Sequence, residues 1–143
     1  MDAEPPPLIL GEQTGAIIHE FCIVYNELGG GFPEFVYRRA LAPALRGAGL
    51  AVSEEVPLPV WFRGNRIVTF RVDLVVGDRV LIEVKALPEV DKFQQAQVLH
   101  YLKASDLEVG LLLNFGRRPE FRRVIYENTR KRRPPPEDFQ SSI

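Results

Sequence analysis

One stretch, residues 71–85, constrains the fold of this chain more than any other: its sequence is RVDLVVGDRVLIEVK. Two apolar runs rich in β-branched residues flank a central Gly-Asp pair, a pattern typical of a β-hairpin. Asp73, Glu83 and Lys85 interrupt these runs, although burying a charge is costly unless the charge is paired or binds a metal. The pattern therefore predicts a hairpin with a charged cluster among apolar neighbours.

The register of the two strands decides whether the charged groups meet. A two-residue loop would pair Val76 with Arg79 and would mix the apolar and charged faces. A three-residue loop, or a tight turn with a bulge, pairs Val76 with Val80 and sets Asp73 opposite Glu83. Because a one-residue slip turns every side chain to the other face, the hydrophobic pattern favours the second register. That register gives two further pairs, Leu74 with Ile82 and Val72 with Val84.

The predicted Asp73–Glu83 pair suggests a metal. Directly opposed side chains lie about 5 Å apart at Cβ, so the two carboxylates would repel each other without a cation between them. Hard oxygen ligands of this kind suit Mg²⁺ or Mn²⁺. Lys85, two residues after Glu83, points to the same face of its strand. On these residues alone a second interpretation stays open, namely a hairpin whose charges face solvent.

Composition sets the broad class. The 143 residues, 45% hydrophobic and 26% charged, are typical of one soluble folded domain. A net charge of −1 gives no overall attraction to nucleic acid. The single cysteine, Cys22, excludes an intrachain disulfide and favours a reducing, cytoplasmic location. The acidic, Pro-rich start is unlike a signal peptide, and no apolar run reaches the roughly 18 residues of a membrane helix.

Hydrophobic periodicity and turn residues predict the remaining elements. The chain divides into a flexible N-terminal arm, a single folded domain and a basic, Pro-rich disordered tail, over residues 1–10, 11–126 and 127–143. The predicted order is helix, helix, strand, strand, strand, helix, strand. The three helices are expected over 12–28, 32–48 and 91–104, and the strands outside the hairpin over 52–62 and 108–115.

Two features could contact nucleic acid. Residues 117–133 hold eight Arg or Lys and two Glu, a local net charge of +6. Such a run is usually solvated, but it could also grip phosphates. Trp61 and Phe62 could stack on a base, although the pattern favours their covering the sheet. The candidate substrate-binding residues of the basic run are Arg117, Arg118, Arg122 and Arg123.

The segment Gly31-Phe32-Pro33-Glu34-Phe35-Val36-Tyr37 matches the pattern that names the GxxExxY family, and the resemblance covers about residues 11–126. The hairpin, with Asp73 and then Glu83-Val84-Lys85, resembles the PD-(D/E)XK nuclease signature, and the GxxExxY family is generally placed in that superfamily. Tyr25 is a departure, because family members usually carry a histidine near the end of the first helix. Further segments that resemble the family are Thr14-Gly15-Ala16-Ile17-Ile18, Asn26-Glu27-Leu28-Gly29, Val56-Pro57-Leu58-Pro59-Val60 and Gly110-Leu111-Leu112-Leu113-Asn114-Phe115.

The resemblance implies an α/β (α+β) fold with a restriction-endonuclease-like PD-(D/E)XK core. That core is an αβββαβ mixed sheet flanked by helices, here with one extra N-terminal helix. The predicted element order agrees, since removing the first helix leaves αβββαβ. Pattern and resemblance together support the fold more directly than the activity.

The resemblance also implies a metal-dependent nuclease, with DNA as the expected substrate. Asp73 and Glu83 would ligate Mg²⁺ or Mn²⁺ with the Val84 carbonyl as a third ligand, and Glu34 would hold the metal directly or through a water. Lys85 would position and help to deprotonate the attacking water, or stabilise the developing charge.

Three more residues receive roles from the resemblance. Gln97 and Tyr101, four apart on one helix face, resemble the Gln-x-x-x-Tyr motif of the RecB-like and lambda-exonuclease-like branch and would orient the scissile phosphate. Tyr37 shares a helix face with Glu34 and would contact substrate.

Two other classes stay open. The chain could be a non-catalytic nucleic-acid-binding module, or a protein-interaction module of a larger complex that keeps only the nuclease fold. The sequence leaves open DNA against RNA, single against double strand, and a homodimer or larger complex. Metal-dependent cleavage would separate the enzyme from both alternatives.

Overall fold

The structure, a computed structural model, describes residues 11–132. The predicted arm 1–10 and the predicted tail beyond residue 132 lie outside the described residues. No helix within 11–132 combines the length and apolar character needed to cross a membrane. The elements are α1 Gly11–Leu28, α2 Glu34–Gly47, β1 Val52–Phe62, β2 Asn65–Val76, β3 Val80–Lys85, α3 Lys92–Lys103, β4 Val109–Phe115, β5 Pro119–Ile125 and a 3₁₀ helix Asn128–Arg130.

The five strands form one mixed sheet in the order β1-β2-β3-β4-β5. Only β3 and β4 are parallel, and α3 connects them; the other neighbours are antiparallel. Strand β1 lies at one edge, as its two prolines predict, because proline cannot donate to a ladder on both sides. The predicted α/β class and the αβββαβ order after α1 are confirmed, and β5 forms the opposite edge.

Helices cover the two faces of the sheet. The α1–α2 face buries Phe21 and Tyr37 against Phe115 of β4, with ring centroids 4.8 Å and 4.3 Å away respectively. Such aromatic pairs contribute about 0.5–1.5 kcal/mol each beyond their buried area. The α3 face buries Val98 and Leu102. Every residue of β4 is buried, so this strand is the centre of both cores.

The hairpin register is confirmed at its closed end. Val76 pairs with Val80 and Leu74 with Ile82. Gly77 and Asp78 both have positive φ, 59° and 55°, and the Arg79 N–H donates to the Val76 carbonyl at 3.0 Å. Glycine and aspartate are two of the residues that adopt this left-handed conformation most readily.

At the open end of the hairpin the predicted register is wrong. The ladder between β2 and β3 stops at Leu74 and Ile82, so the expected Val72–Val84 pair is missing. Val72 packs in the α3-side core, whereas Val84 packs in the α1–α2 core. The two strands therefore diverge at Asp73, and the alternation of faces breaks there.

The segment after β5 differs from the prediction. The Asn128 N–H donates to Glu108 at 2.9 Å, and the Asn128 amide donates to the Asp106 carbonyl at 2.9 Å. Lys131 Nζ donates to the Ser105 and Leu107 carbonyls at 2.8 Å and 2.7 Å. The prediction of disorder from residue 127 is therefore wrong as far as residue 132, because polar side chains tie this segment to the α3–β4 loop.

Candidate active site

Asp73 and Glu83 take the place of ladder hydrogen bonds where β2 and β3 diverge. The Asp73 N–H donates to Glu83 Oε1 at 3.1 Å, and the Val84 N–H donates to Asp73 Oδ2 at 2.8 Å. Each carboxylate thus satisfies a backbone donor of the opposite strand. The other two oxygens, Asp73 Oδ1 and Glu83 Oε2, accept no hydrogen bond from residues 11–132.

Burial and mutual repulsion disfavour the charged forms of both groups. Glu83 is only 4% exposed; burial, and next the charge of Asp73, raise its pKa to about 8. Burial also raises the pKa of Asp73, despite the hydrogen bond from Val84 and the positive charges of Arg38 and Lys85. Arg38 and Lys85 compensate the two carboxylates only in part, and a bound cation or a proton would supply the remaining positive charge.

Lys85 and Glu34 border this pair. Lys85 ends β3 and is half-buried; its charge lowers the pKa values of Asp73, Glu83 and Glu34. Lys85 nevertheless makes no ion pair within 4.0 Å in the part of the chain that the structure describes. Glu34, in the first turn of α2, has its pKa raised by partial burial and by the charge of Asp73. These interactions place the sequence-predicted acids and lysine in one electrostatic cluster.

Sequence reasoning missed Arg38. It lies one helical turn after Glu34, and its Nη1 is 3.8 Å from Asp73 Oδ1. Its Nη2 is 3.8 Å from a carboxylate oxygen of Glu55, a β1 residue with a left-handed φ of 50°. That conformation is rare for glutamate and tends to occur at functional sites. The i, i+4 spacing from Glu34 was the available signal.

Gln97 and Tyr101 of α3 reach the same cluster from the other face of the sheet. Gln97 Nε2 donates to the Tyr101 hydroxyl oxygen at 3.0 Å. The pKa of Tyr101 is raised by burial and next by the charge of Glu83. The Tyr101 ring centroid lies 5.2 Å from that of Phe70, which fixes the ring beside β2.

The residues suit a divalent cation, but not through three carboxylates. Within residues 11–132 no group of three or more His, Cys, Asp or Glu side chains is placed to enclose a metal. Among these residues Glu34 is therefore not placed with Asp73 and Glu83 as a direct third carboxylate ligand, and the alternative, that it holds the metal through a water, stays a prediction. Mg²⁺ commonly uses one or two carboxylates together with waters and substrate phosphates. Buried Glu83 and partly buried Asp73, each with an oxygen that accepts no hydrogen bond from residues 11–132, fit that requirement.

Tyr37 does not reach the site. Its side chain is fully buried, and its hydroxyl donates to the Gly29 carbonyl at 2.7 Å and accepts from the Phe32 N–H at 3.1 Å. The predicted substrate contact by Tyr37 is thus sterically excluded. The tyrosine instead shapes the α1–α2 loop that precedes Glu34.

The four predicted arginines divide into two groups. Arg117 and Arg118 are exposed in the β4–β5 turn. Arg122 forms an ion pair with Glu120 at 3.0 Å, and Arg123 Nη1 donates to Thr14 at 3.1 Å. Arg122 and Arg123 belong to a sheet strand rather than to a solvated tail.

Tyr25, the departure from the family pattern, has a structural contact. Its hydroxyl donates to the Gly116 carbonyl at 2.8 Å, which joins the end of α1 to the β4–β5 turn. With Phe32 and Phe115 it lines a cavity of about 370 Å³. No direct contact between Tyr25 and the carboxylates is present among the described residues.

Comparison with known proteins agrees with this geometry. The family model described as the PD-(D/E)XK nuclease superfamily matches residues 11–124. The match spans Glu34, the Asp73–Lys85 hairpin and α3, which together form the cluster. No curated protein and no solved structure has a significant match to the chain.

Proposed function

The chain belongs to the PD-(D/E)XK nuclease superfamily, and from this premise we propose that it is a metal-dependent nuclease that hydrolyses phosphodiester bonds, with DNA as the expected substrate. The observation that carries the proposal is the pairing of the buried carboxylate of Glu83 with the partly buried carboxylate of Asp73, on diverging strands beside Lys85. We also propose, from the motif at residues 31–37, that it belongs to the GxxExxY family.

Asp73 and Glu83 would hold Mg²⁺ or Mn²⁺ through Oδ1 and Oε2, which accept no hydrogen bond within the described part of the chain, with the Val84 carbonyl as a further donor. When bound, the cation supplies a lowered pKa for an attacking water and offsets charge on the scissile phosphate. Glu34 would act from the neighbouring helix through a water. Arg38 stabilises the ionised form of Asp73 and so keeps that carboxylate available as a ligand.

The remaining roles belong to side chains of this chain. Lys85, which forms no ion pair within 4.0 Å among residues 11–132, can position the attacking water and help to deprotonate it, or donate to a phosphate oxygen as negative charge develops. Gln97 donates to the Tyr101 oxygen, so the Tyr101 O–H proton stays free to donate to a phosphate oxygen. The two α3 residues therefore orient the substrate, while Lys85 acts on the reacting atoms.

The test is a cleavage panel with matched variants. Wild-type protein is incubated with single- and double-stranded DNA and RNA, linear and circular, in Mg²⁺, Mn²⁺ or EDTA. Asp73→Asn removes the charge but keeps an oxygen to accept the Val84 N–H, and we expect it to lose cleavage by roughly 10²-fold or more. Asp78→Asn, at the turn of the same hairpin, is the control, because asparagine also tolerates a positive φ.

Two results would contradict a nuclease: no metal-dependent cleavage of any substrate by the wild type, or Asp73→Asn cleaving as fast as Asp78→Asn. The second candidate is a non-catalytic nucleic-acid-binding module, which is favoured by the finding that no three His, Cys, Asp or Glu side chains of residues 11–132 are placed to enclose a metal. Nucleic-acid binding without cleavage in the same panel would support it.

A further inference from the structure

The distal half of the β1–β2 hairpin, residues 59–69, extends past the rest of the sheet; we call it the hairpin arm. Strand β2 pairs with β3 only from Leu74 to Val76, whereas its pairing with β1 continues to Asn65 at the tip. Among residues 11–132 this part of β2 therefore has a partner strand on one side only, and from residue 61 to residue 69 almost every residue is exposed.

The arm exposes large apolar side chains. Trp61 is 51% exposed, Phe62 57% and Ile67 62%. The expectation that Trp61 and Phe62 cover the sheet is therefore wrong, because both residues lie on the part of the β1–β2 hairpin that extends beyond β3. Exposed aromatic residues grouped on one element mark an interaction surface more often than isolated ones do.

The charge of the arm selects the kind of partner. Residues 59–69 contain Arg63 and Arg66 and no acidic residue. The Arg63 guanidinium lies 4.9 Å from the centroid of the Phe62 ring, so a cation and a π-face are presented together. Two copies of the arm would bring four arginines together without a carboxylate, which disfavours self-association. Nucleic acid fits both features, because its bases can stack on the exposed aromatic rings and its phosphates can pair with the arginines.

The arm is continuous with the active site. At its base, Phe70 packs against Tyr101, and Asp73 follows on the same strand. Arg66 and Asp73 are seven positions apart, which in a strand is about 23 Å. That distance corresponds to about seven nucleotides at the rise of a stacked helix, and to fewer for an extended single strand.

We propose that the hairpin arm binds unpaired bases of the nucleic-acid substrate, so that the substrate is single-stranded or carries a single-stranded segment. The proposal rests on the proposed function and names its substrate class. The π-faces of bases in a duplex are already stacked on one another, whereas an unpaired base can stack on Phe62 or Trp61. The arginines contact the intervening phosphates.

Trp61 provides the first test, because it is the single tryptophan of the chain. Wild-type protein in EDTA, which prevents cleavage, is titrated with a 20-nucleotide dT strand and a 20-bp duplex. We expect the 20-mer to quench Trp61 fluorescence, and the duplex to do so at least tenfold more weakly at equal concentration. Equal quenching by duplex and single strand, or none by either, would overturn the proposal.

Variants provide the second test. Phe62→Ala should weaken binding of the 20-mer by roughly 5- to 150-fold, the range expected for one lost base–aromatic stack. Arg66→Ala should reduce the slope of log K against log salt by about 0.7, one single-strand phosphate contact. Phe121→Ala, which removes a 44% exposed phenylalanine from β5 at the opposite edge, is the matched control and should bind as wild type. Phe62→Ala binding as tightly as Phe121→Ala would overturn the proposal.

Two results separate this inference from the proposed function. Metal-dependent cleavage by the wild type with unchanged cleavage of single strands by Phe62→Ala would overturn the role of the arm and leave the nuclease intact. Trp61 quenching by the 20-mer without cleavage in any metal would support binding by the arm and contradict the nuclease.

Light scattering without nucleic acid tests self-association. If the wild type is a dimer and Phe62→Ala is a monomer, then the arm is a self-association surface and the proposal is overturned.

Discussion

Two buried polar side chains on neighbouring parallel strands differ in how far their polar atoms find hydrogen-bond partners. Asn114 of β4 is fully buried; its amide oxygen accepts from the Leu87 N–H, and its amide nitrogen donates to the Leu87 carbonyl, both at 2.9 Å. Glu83 of β3 is 4% exposed, accepts one backbone N–H and lies beside a second carboxylate. The neutral amide of Asn114 makes hydrogen bonds through both its oxygen and its nitrogen, whereas the carboxyl group of Glu83 accepts one hydrogen bond and faces another carboxylate.

The difference separates structure from function. Asn114 fixes the loop after β3, and each of its hydrogen bonds contributes about 1 kcal/mol net. Glu83 destabilises the metal-free fold whenever it is ionised, as its raised pKa records. A buried polar group that the fold leaves unsatisfied is a candidate for binding something the fold does not contain.

The largest expected effect is a pH dependence that Glu83 gives to the metal-free protein. The unfolded carboxyl releases its proton near its ordinary pKa of 4.5, but the folded one keeps it up to about pH 8. Between these values the folded state binds more protons, so stability should fall as pH rises from about 5 to 8 and then level off, by at most about 5 kcal/mol. Urea unfolding in EDTA at several pH values measures this.

Glu83→Gln is the control for that prediction, since it cannot ionise in this window; its stability should fall less steeply over the same pH range. Saturating Mg²⁺ at pH 8 should restore stability to the wild type and not to Glu83→Gln. If the metal-free wild type is equally stable at pH 5 and pH 8, then Glu83 is adequately solvated or compensated, and the contrast with Asn114 disappears.

The next effect concerns Asn114. Asn114→Ala leaves the Leu87 N–H and carbonyl without partners and should reduce the free energy of unfolding by about 2–4 kcal/mol. The Mg²⁺-induced rise in melting temperature should persist, because the carboxylates are unchanged. Asn65→Ala, an exposed asparagine, should change stability by less than about 0.5 kcal/mol.

Asn114→Asp sharpens the same comparison by putting a carboxyl group into the matched position. The protonated acid can still exchange both hydrogen bonds with Leu87, but the ionised form cannot donate. This variant should therefore gain a pH dependence like that of Glu83, with lower stability at pH 8 than at pH 5. A flat profile would show that water reaches Asn114.

Sequence reasoning recovered the part of the hairpin that side-chain alternation controls. Val76–Val80 and Leu74–Ile82 follow from keeping apolar residues on one face. The divergence at Asp73 could not be foreseen, because there side-chain carboxylates replace backbone ladder bonds. A pattern with a period of two carries no information about where the period stops.

The residues of the candidate site divide in the same way, into those that the sequence pattern predicts and those that depend on distant contacts. The pattern predicted that Asp73 and Glu83 lie together, and their roles as metal ligands remain predictions. Tyr37 was misassigned because sharing a helix face with Glu34 does not reveal that Phe115 from a distant strand packs on the ring. Arg38 was missed because its partner Asp73 lies 35 positions away in the chain.

The smallest expected effect on the free energy of unfolding in Mg²⁺, and the most specific, concerns Lys85, which pairs in register with Asn114 on β4. A structural lysine would neutralise the carboxylates, so its loss would destabilise the protein, by about 3–5 kcal/mol if the partners are buried. A catalytic lysine acts on charge that appears only in the transition state. The absence of an ion pair within 4.0 Å in residues 11–132 favours the second role.

We therefore expect Lys85→Ala in saturating Mg²⁺ to keep its metal-induced thermal shift and its affinity for substrate, and to lose cleavage by roughly 10²-fold, about 3 kcal/mol in the barrier. In EDTA at pH 8 the same variant should be less stable than wild type, because Lys85 lowers the pKa of Glu83. Lys85→Arg should not restore cleavage, since guanidinium holds its proton too tightly to exchange it with water. If Lys85→Ala cleaves substrate as fast as the wild type, then Lys85 has no role in the mechanism. Destabilisation in Mg²⁺ comparable to that in EDTA would give it the structural role that Asn114 has on the next strand.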